Sequence, residues 1–439
     1  MGRINNSSIL SNRPYLAIAL LIALSLHGCA TLKGTSVKPP TPRGVPEGQI
    51  ERNEFSVAKE DDVIGQLATI KVEKGDTLPD IARHFSLGIS EISVANPGVD
   101  VWVPKSDERI VLPLSHILPD SPRKGIVINL ASMRLFQFRQ DSGAPAVATY
   151  PVGIGTTERP SPVGPMFVQR KTVRPTWVVP ASIAEDHRKK GDILPAKVLP
   201  GPLNPLGEYA LYLSKPGYLV HGTNKPYSIG LNATNGCIRL YPEDVRKLYE
   251  STPVNTPVRI VNQPYLIGQH NGLLYMEVHA APGERDGAEL ENLFTRLKKL
   301  QKRVTLPVDW DKVRQTLAEA RGIPVPICEI DQTKEKGVGG GIEVRHPDKL
   351  YGKPEVPEAR TDGWYLSAGD LEEKTAATRL AAMINHQGPP IPARVLPKNT
   401  GYRVVAGPFT DANEARDAAK RLKFDLEIEG TLIEPAKDR

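Results

Sequence analysis

Residues His221 to Leu240 read HGTNKPYSIGLNATNGCIRL, and the reading of this stretch decides the rest of the 439-residue chain. It carries one histidine and one cysteine sixteen positions apart, each beside a glycine, in a chain with 3 cysteines in all. A thiol becomes a useful nucleophile near neutral pH when an imidazole favours its thiolate, and a flanking glycine lets another backbone come close. Cys237 and His221 are therefore a candidate nucleophile and base. Plainer readings compete, because a lone cysteine is commonly a small buried hydrophobe and a histidine a satisfied core residue. A zinc site would need two further ligands, and no C-x-x-C or H-x-x-x-H spacing supplies them, so neither metal nor cofactor is expected.

The surrounding pattern favours the chemistry. It runs H-G-T, a spacer with S-I-G, a small hydroxyl residue, one variable residue, then G-C-I-R, and it closely resembles the signature of the L,D-transpeptidases, the YkuD family. Papain-like and NlpC/P60-like peptidases place the cysteine before the histidine, opposite to the order here. The resemblance extends over residues 123–262, through GIVINLASMRLFQF, YPVGIGTTERPSPVGPMFV and GPLNPLGEYALYLSKPGYLVHGT. Taken alone, these are short, nearly alternating runs of Val, Ile, Leu, Tyr and Phe broken by Gly and Pro, which argues for a mostly β domain. The resemblance implies a β-sandwich whose cleft carries the cysteine.

Roles follow for particular residues. Cys237 attacks a peptide carbonyl, His221 takes the thiol proton and later returns one to the leaving amine, and a third group holds the imidazole in one tautomer. The resemblance gives that task to the backbone carbonyl of Gly222. The N–H groups of Gly236 and Cys237 are the expected oxyanion donors, because glycine before the nucleophile permits a tight turn. Arg239 holds either this loop or a substrate carboxylate, with a structural ion pair as the plainer reading. Thr234 and Asn235 are candidate substrate contacts, and they stand where the family more often has serine and histidine. Asparagine hydrogen-bonds but does not titrate near neutrality. The implied substrate is a peptidoglycan tetrapeptide stem, with an amine on another stem or on a protein as acceptor. Water as acceptor would make the enzyme a hydrolase, and a dead catalytic domain would leave a wall-binding scaffold.

The start of the chain suggests where it works. Residues 1–28 place Arg3 and Arg13 before LAIALLIALSL, a secretory signal too short for a comfortable membrane span. The following L-H-G-C resembles a bacterial lipobox, so Cys29 is expected to carry lipid, the alternative being an uncleaved anchor helix. Ala30, not aspartate, follows Cys29, which implies the periplasmic side of the outer membrane. Residues 29–68 read as a polar tether. The formal charge of +6 falls by the two arginines to +4 on cleavage, too small and scattered for nucleic acid.

Further domains flank the centre. Residues 69–113 contain a strand, a Gly75-Asp76 turn, a capping-box pattern at Thr77 and Asp80, a second helix ending at Asn96-Pro97 and a closing strand. The G-D-T-L and I-A-x-x-F signature resembles a LysM module, which binds N-acetylglucosamine-containing glycans. Gly75, Asp76, Thr77 and Asn96 are its candidate sugar contacts, against plainer roles as turn and cap. Residues 263–330 read as a strand and helical extension holding a buried Cys328, and residues 331–360 as a linker. Residues 361–436 alternate β-α-β-β-α-β, a ferredoxin-like order. There YRVVAGPFTDANEARDAAKRL resembles a SPOR domain, associated with septal peptidoglycan, which implies enrichment and partners at the division site. The fold class is thus multidomain: a small α/β module, a mostly-β catalytic sandwich, a helical extension and a C-terminal α+β domain.

Overall fold

A computed structural model describes residues 44–58, 60–141, 144–279, 287–330 and 341–436. The signal segment 1–28, Cys29 and the tether up to residue 43 lie outside the described residues.

At the centre is a nine-stranded sheet. Its spatial order is Glu54–Ser56, Ala144–Pro151, Arg134–Asp141, Gly125–Asn129, Pro257–Val261, Gly164–Val173, Tyr209–Leu213, Leu219–His221 and Ile238–Arg239. Gly164–Val173 serves two halves: Gly164 to Phe167 pair with Pro257–Val261, and Val168 to Val173 pair with Tyr209–Leu213, the register shifting between Val168 and Arg170. A bulge bends its strand, the device by which one strand turns a sheet's corner. Both halves feed one core, Ile126, Ile128, Val258 and Ile260 from one and Leu211, Leu213, Val220 and Ile238 from the other, none more than 2% exposed. The nine strands hydrogen-bond in one continuous order, with a register shift in the strand that both halves share.

Residues 68–112 form a βααβ unit. Strands Ala68–Lys71 and Arg109–Leu112 pair antiparallel around helices Leu78–His84 and Ile89–Ala95. Thr77 Oγ1 accepts from the Asp80 N–H and the Asp80 carboxylate accepts from the Thr77 N–H, closing the capping box. Leu78, Ile81, Ala82 and Phe85, the apolar stripe of that helix, are fully buried. The unit is fastened to the large sheet by Arg134, 1% exposed, whose guanidinium donates to both Glu91 carboxylate oxygens at 3.1 and 2.7 Å.

Two expected free segments are packed. Within the tether 29–68, Ile50 enters the core of the βααβ unit, and Glu54–Ser56 adds an edge strand with Phe55 opposite Val147. Within the linker 331–360, Ile342–Glu343 pair in parallel with Ala68 and Thr69, and Val344 and Leu350 fill the same core. The physical reason is the same in both. A few isolated apolar residues show no periodicity in a polar, Pro-rich stretch, yet each can complete a core that neighbouring elements leave open.

In the extension, hairpin Tyr265–His270 and Leu273–Val278 with strand Val325–Pro326 packs on helices Gly287–Gln301 and Trp310–Glu319. Cys328 is fully buried there, its sulfur accepting from the Leu274 N–H at 3.3 Å. The C-terminal domain has strand order Ala393–Pro397, Tyr402–Phe409, Trp364–Leu371 and Thr431–Ile433, all antiparallel. Helices Lys374–Asn385 and Ala412–Leu426 complete the ferredoxin-like arrangement, the second capped by the Asp411 side chain.

Candidate active site

Two short strands bring the signature together. Leu219–His221 and Ile238–Arg239 pair in parallel, Val220 opposite Ile238 and His221 opposite Arg239. Side chains alternate along a strand, so His221 and Arg239 share one face, and Cys237, two residues before Arg239, falls on it. Val220, Ile238 and Leu240 take the other face and enter the central core. The turn into Cys237 needs Gly236, whose φ is +99° and whose added Cβ would lie 2.8 Å from the Tyr218 ring.

His221 is buried, and its Nδ1 donates to the Gly222 carbonyl at 2.6 Å. A carbonyl only accepts, so the proton sits on Nδ1 and Nε2 keeps a lone pair. Burial, reinforced by the Arg239 charge, pushes the imidazole down to about 3. Cys237 is half-buried and its Sγ lies 3.6 Å from the Gly217 carbonyl. Burial pushes this thiol up, opposed by a backbone contact at Leu219 and by Arg239. Arg239 has no carboxylate within ion-pair distance among the described residues, Nη1 reaches only Ser228 Oγ at 3.4 Å, and Nε is buried without a partner. The structural ion pair expected as the plainer reading of Arg239 is therefore absent among them, leaving a half-buried cation beside the thiol.

Three other assignments change. The Gly236 N–H donates to Thr234 Oγ1 at 3.1 Å, so it is not turned toward an oxyanion, and of the two expected donors only the Cys237 N–H remains. Thr234 is buried and its hydroxyl donates to the Cys237 carbonyl at 2.7 Å, which makes it a brace of the turn and not a substrate contact. Asn235 is exposed and accepts from Arg159 Nη1.

The sugar contacts expected on the βααβ unit also need correction. Asp76 is bound by His346 Nε2 at 2.9 Å and Lys353 Nζ at 2.8 Å; burial opposes its ionisation, but these bonds outweigh that and hold it at about 2. Thr77 belongs to the capping box and touches His386 Nε2 at 3.3 Å. Asn96 donates to the Ile92 and Val111 carbonyls at 2.8 Å each, so its side chain ties a helix end to a strand. Gly75 is exposed at a turn with φ +88°.

Residues 174–203, the connection between strands Gly164–Val173 and Tyr209–Leu213, form a flap with helix Ala181–Lys189 and the strand pair Trp177–Val178 and Lys197–Val198. The spacer between His221 and Cys237 is held from outside the sheet. Ile89 N–H of the βααβ unit donates to the Ile229 carbonyl at 3.0 Å, and an added Cβ on Gly230 would lie 2.6 Å from Ile89 N. On its other side the C-terminal domain arrives: Lys225 pairs with Asp425 at 2.6 Å, and Phe424 stacks on flap residue His187 at 4.4 Å. Sequence reading missed Arg159, Tyr218 and the flap, since none carries a repeating pattern.

A half-buried thiol on a glycine turn, a buried imidazole whose Nδ1 is held by a carbonyl and an arginine without a carboxylate partner among the described residues, all on one face of a β-sheet, are the parts that a thiol acyl-transfer enzyme uses. The model of the L,D-transpeptidase catalytic domain (YkuD) matches residues 123–260, and that of the SPOR domain matches residues 361–433. The probable L,D-transpeptidase ErfK/SrfK of Salmonella typhimurium is 37% identical over 282 residues, covering 60% of this chain and 87% of that protein. The probable L,D-transpeptidase YbiS of Escherichia coli is 36% identical over 273 residues, covering 60% of this chain and 88% of that one. The chain belongs to the L,D-transpeptidase family; it is a peptidoglycan L,D-transpeptidase that also carries a SPOR domain.

Proposed function

We propose that Cys237 is the nucleophile and His221 the base in acyl transfer from a tetrapeptide stem. The thiol sulfur bonds to the stem's carbonyl carbon while its proton passes to His221 Nε2. The carbon–nitrogen bond then breaks, the proton goes to the leaving D-alanine amine, and a thioester remains. The amine of a second stem or of a protein attacks that thioester and restores the thiol. Arg239 holds a carboxylate of the donor stem, and the Cys237 N–H polarises the reacting oxygen. The observation that carries this reading is the half-buried Arg239, its Nε enclosed and no carboxylate paired with it among the described residues, on the same strand face as the thiol.

The βααβ unit acts as a LysM-like glycan module through a surface other than the bonded Asp76, Thr77 and Asn96 side chains. Cys29 carries lipid and holds the enzyme on the periplasmic side of the outer membrane, and the SPOR domain directs it to the septum. We take the domain limits of the working molecule to be the expected ones, with residues 44–58, 60–68 and 341–355 joined to the packed body.

Mass analysis of tetrapeptide muropeptides incubated with the parent chain and with Cys237→Ala tests the reaction. The parent should give cross-linked dimers and the variant none. Trimmed monomers would replace the transferase reading with hydrolysis, and dimers formed by the variant would remove Cys237 from the mechanism.

A further inference from the structure

The turn that bears Cys237 has a partner that neither the signature nor the chemistry above assigns. Arg159 ends a short loop whose backbone is fixed: its N–H donates to the Thr156 carbonyl at 3.2 Å, and the Thr156 N–H donates to the Thr234 carbonyl at 3.0 Å. From this anchored position Nη1 donates to Asn235 Oδ1, and Nη2 donates to Asp186 Oδ2 at 2.5 Å. Asn235 immediately precedes Gly236 and Cys237, whereas Asp186 sits on the flap helix Ala181–Lys189. The same loop walls the turn, since an added Cβ on Gly236 would stand 3.1 Å from the Pro160 carbonyl oxygen.

We propose that Arg159 is a positioning residue for acyl transfer: through Asn235 it holds the Gly236–Cys237 turn, and through Asp186 it ties the flap helix to that turn. The proposal rests on Cys237 as nucleophile. A guanidinium is planar and directs its donors along fixed lines, so one side chain can orient two acceptors on separate elements. Its charge strengthens the bond to the amide oxygen, which is otherwise an exposed, freely rotating group. Asn235 stands where the family more often has a titrating histidine, and with Arg159 behind it the position becomes a charge-assisted brace that does not change with pH near neutrality. The Arg159–Asp186 pair is half-exposed, at 35% and 46%, so its removal changes fold stability little and its consequence is kinetic.

Steady-state cross-linking by the purified chain distinguishes the two arms, with thermal melting as the folding control. The parent and Cys237→Ala are assayed first: dimers made by the latter would remove the nucleophile and this proposal with it, whereas dimers made by the parent alone leave the Arg159 variants to decide the proposal by themselves. Arg159→Ala should lower kcat about tenfold, the modest end of what misplacing a reacting group costs, and raise KM. Asn235→Ala should reproduce the kcat loss with KM near the parent's, while Asp186→Ala should raise KM about threefold with kcat retained. Arg159→Ala with Asn235→Ala should be no slower than Arg159→Ala alone, since both remove one interaction. Arg159→Lys should recover at most one of the two effects, a point charge being unable to serve both acceptors in plane. Parental kcat and KM in Arg159→Ala, or losses that multiply in the double variant, would overturn the proposal. If Arg159→Ala melts early, the split between Asn235→Ala and Asp186→Ala decides alone.

Discussion

His221 and Cys237 rest uncharged near neutral pH, because burial pushes the imidazole down to about 3 and pushes the thiol up. In the proposed mechanism, attack therefore moves the thiol proton to Nε2 as the new bond forms and does not start from a standing thiolate. Alkylation of Cys237 by iodoacetamide, followed by mass spectrometry, should accelerate about tenfold per pH unit between roughly pH 6 and pH 8, tracking the thiolate fraction. A rate flat across that interval would mean a resting ion pair instead. Much of this site was legible in the sequence, since alternation alone sets Cys237 and Arg239 on one face and Ile238 on the other. The capture of the Gly236 N–H by Thr234 was not, because it depends on which way a hydroxyl rotates. Arg159 reaches Asn235 across 76 residues, and a contact so distant leaves no local mark.

Among the elements, helices were readable where their start signals are local, as at Thr77 and Asp411, whose side chains cap the turns they open. Segments whose order depends on a distant core were misread, Ile50 and Leu350 being the clearest cases. Between the βααβ unit and the large sheet, the Arg134–Glu91 pair is a nearly buried tie, with Arg134 also donating to the Ser86 carbonyl at 3.1 Å. Removing Arg134 leaves the Glu91 carboxylate, 10% exposed, without its cation and with the Gly88 N–H at 3.0 Å as its remaining close donor, a loss that costs at most about 3–5 kcal/mol. Arg134→Ala should therefore show a clear drop in the urea midpoint, and the βααβ unit should become the first region to exchange its amide hydrogens. A midpoint unchanged from the parent would show that apolar packing alone holds the unit in place.

At the scale of the molecule, the C-terminal domain lies against the segment that separates His221 from Cys237. An added Cβ on Gly388 would stand 1.7 Å from the Asn224 carbonyl oxygen, a distance no side-chain shift can relieve. Gly388→Ala should force this contact apart while leaving each fold intact, raising the radius of gyration in X-ray scattering and exposing residues 354–362 to protease. An unchanged scattering profile would mean that the docked arrangement tolerates the methyl group. On the other side of that segment, Gly230 meets the backbone at Ile89 so closely that neither chain can gain an atom. Such a joint limits recombination: transplanting the βααβ unit from a relative requires moving the interval between the histidine and the cysteine with it. Drift in the length of that interval would then be restrained by a neighbouring domain as well as by the reaction, and chimaeras cut at the apparent domain borders should fail where those cut inside the sheet succeed.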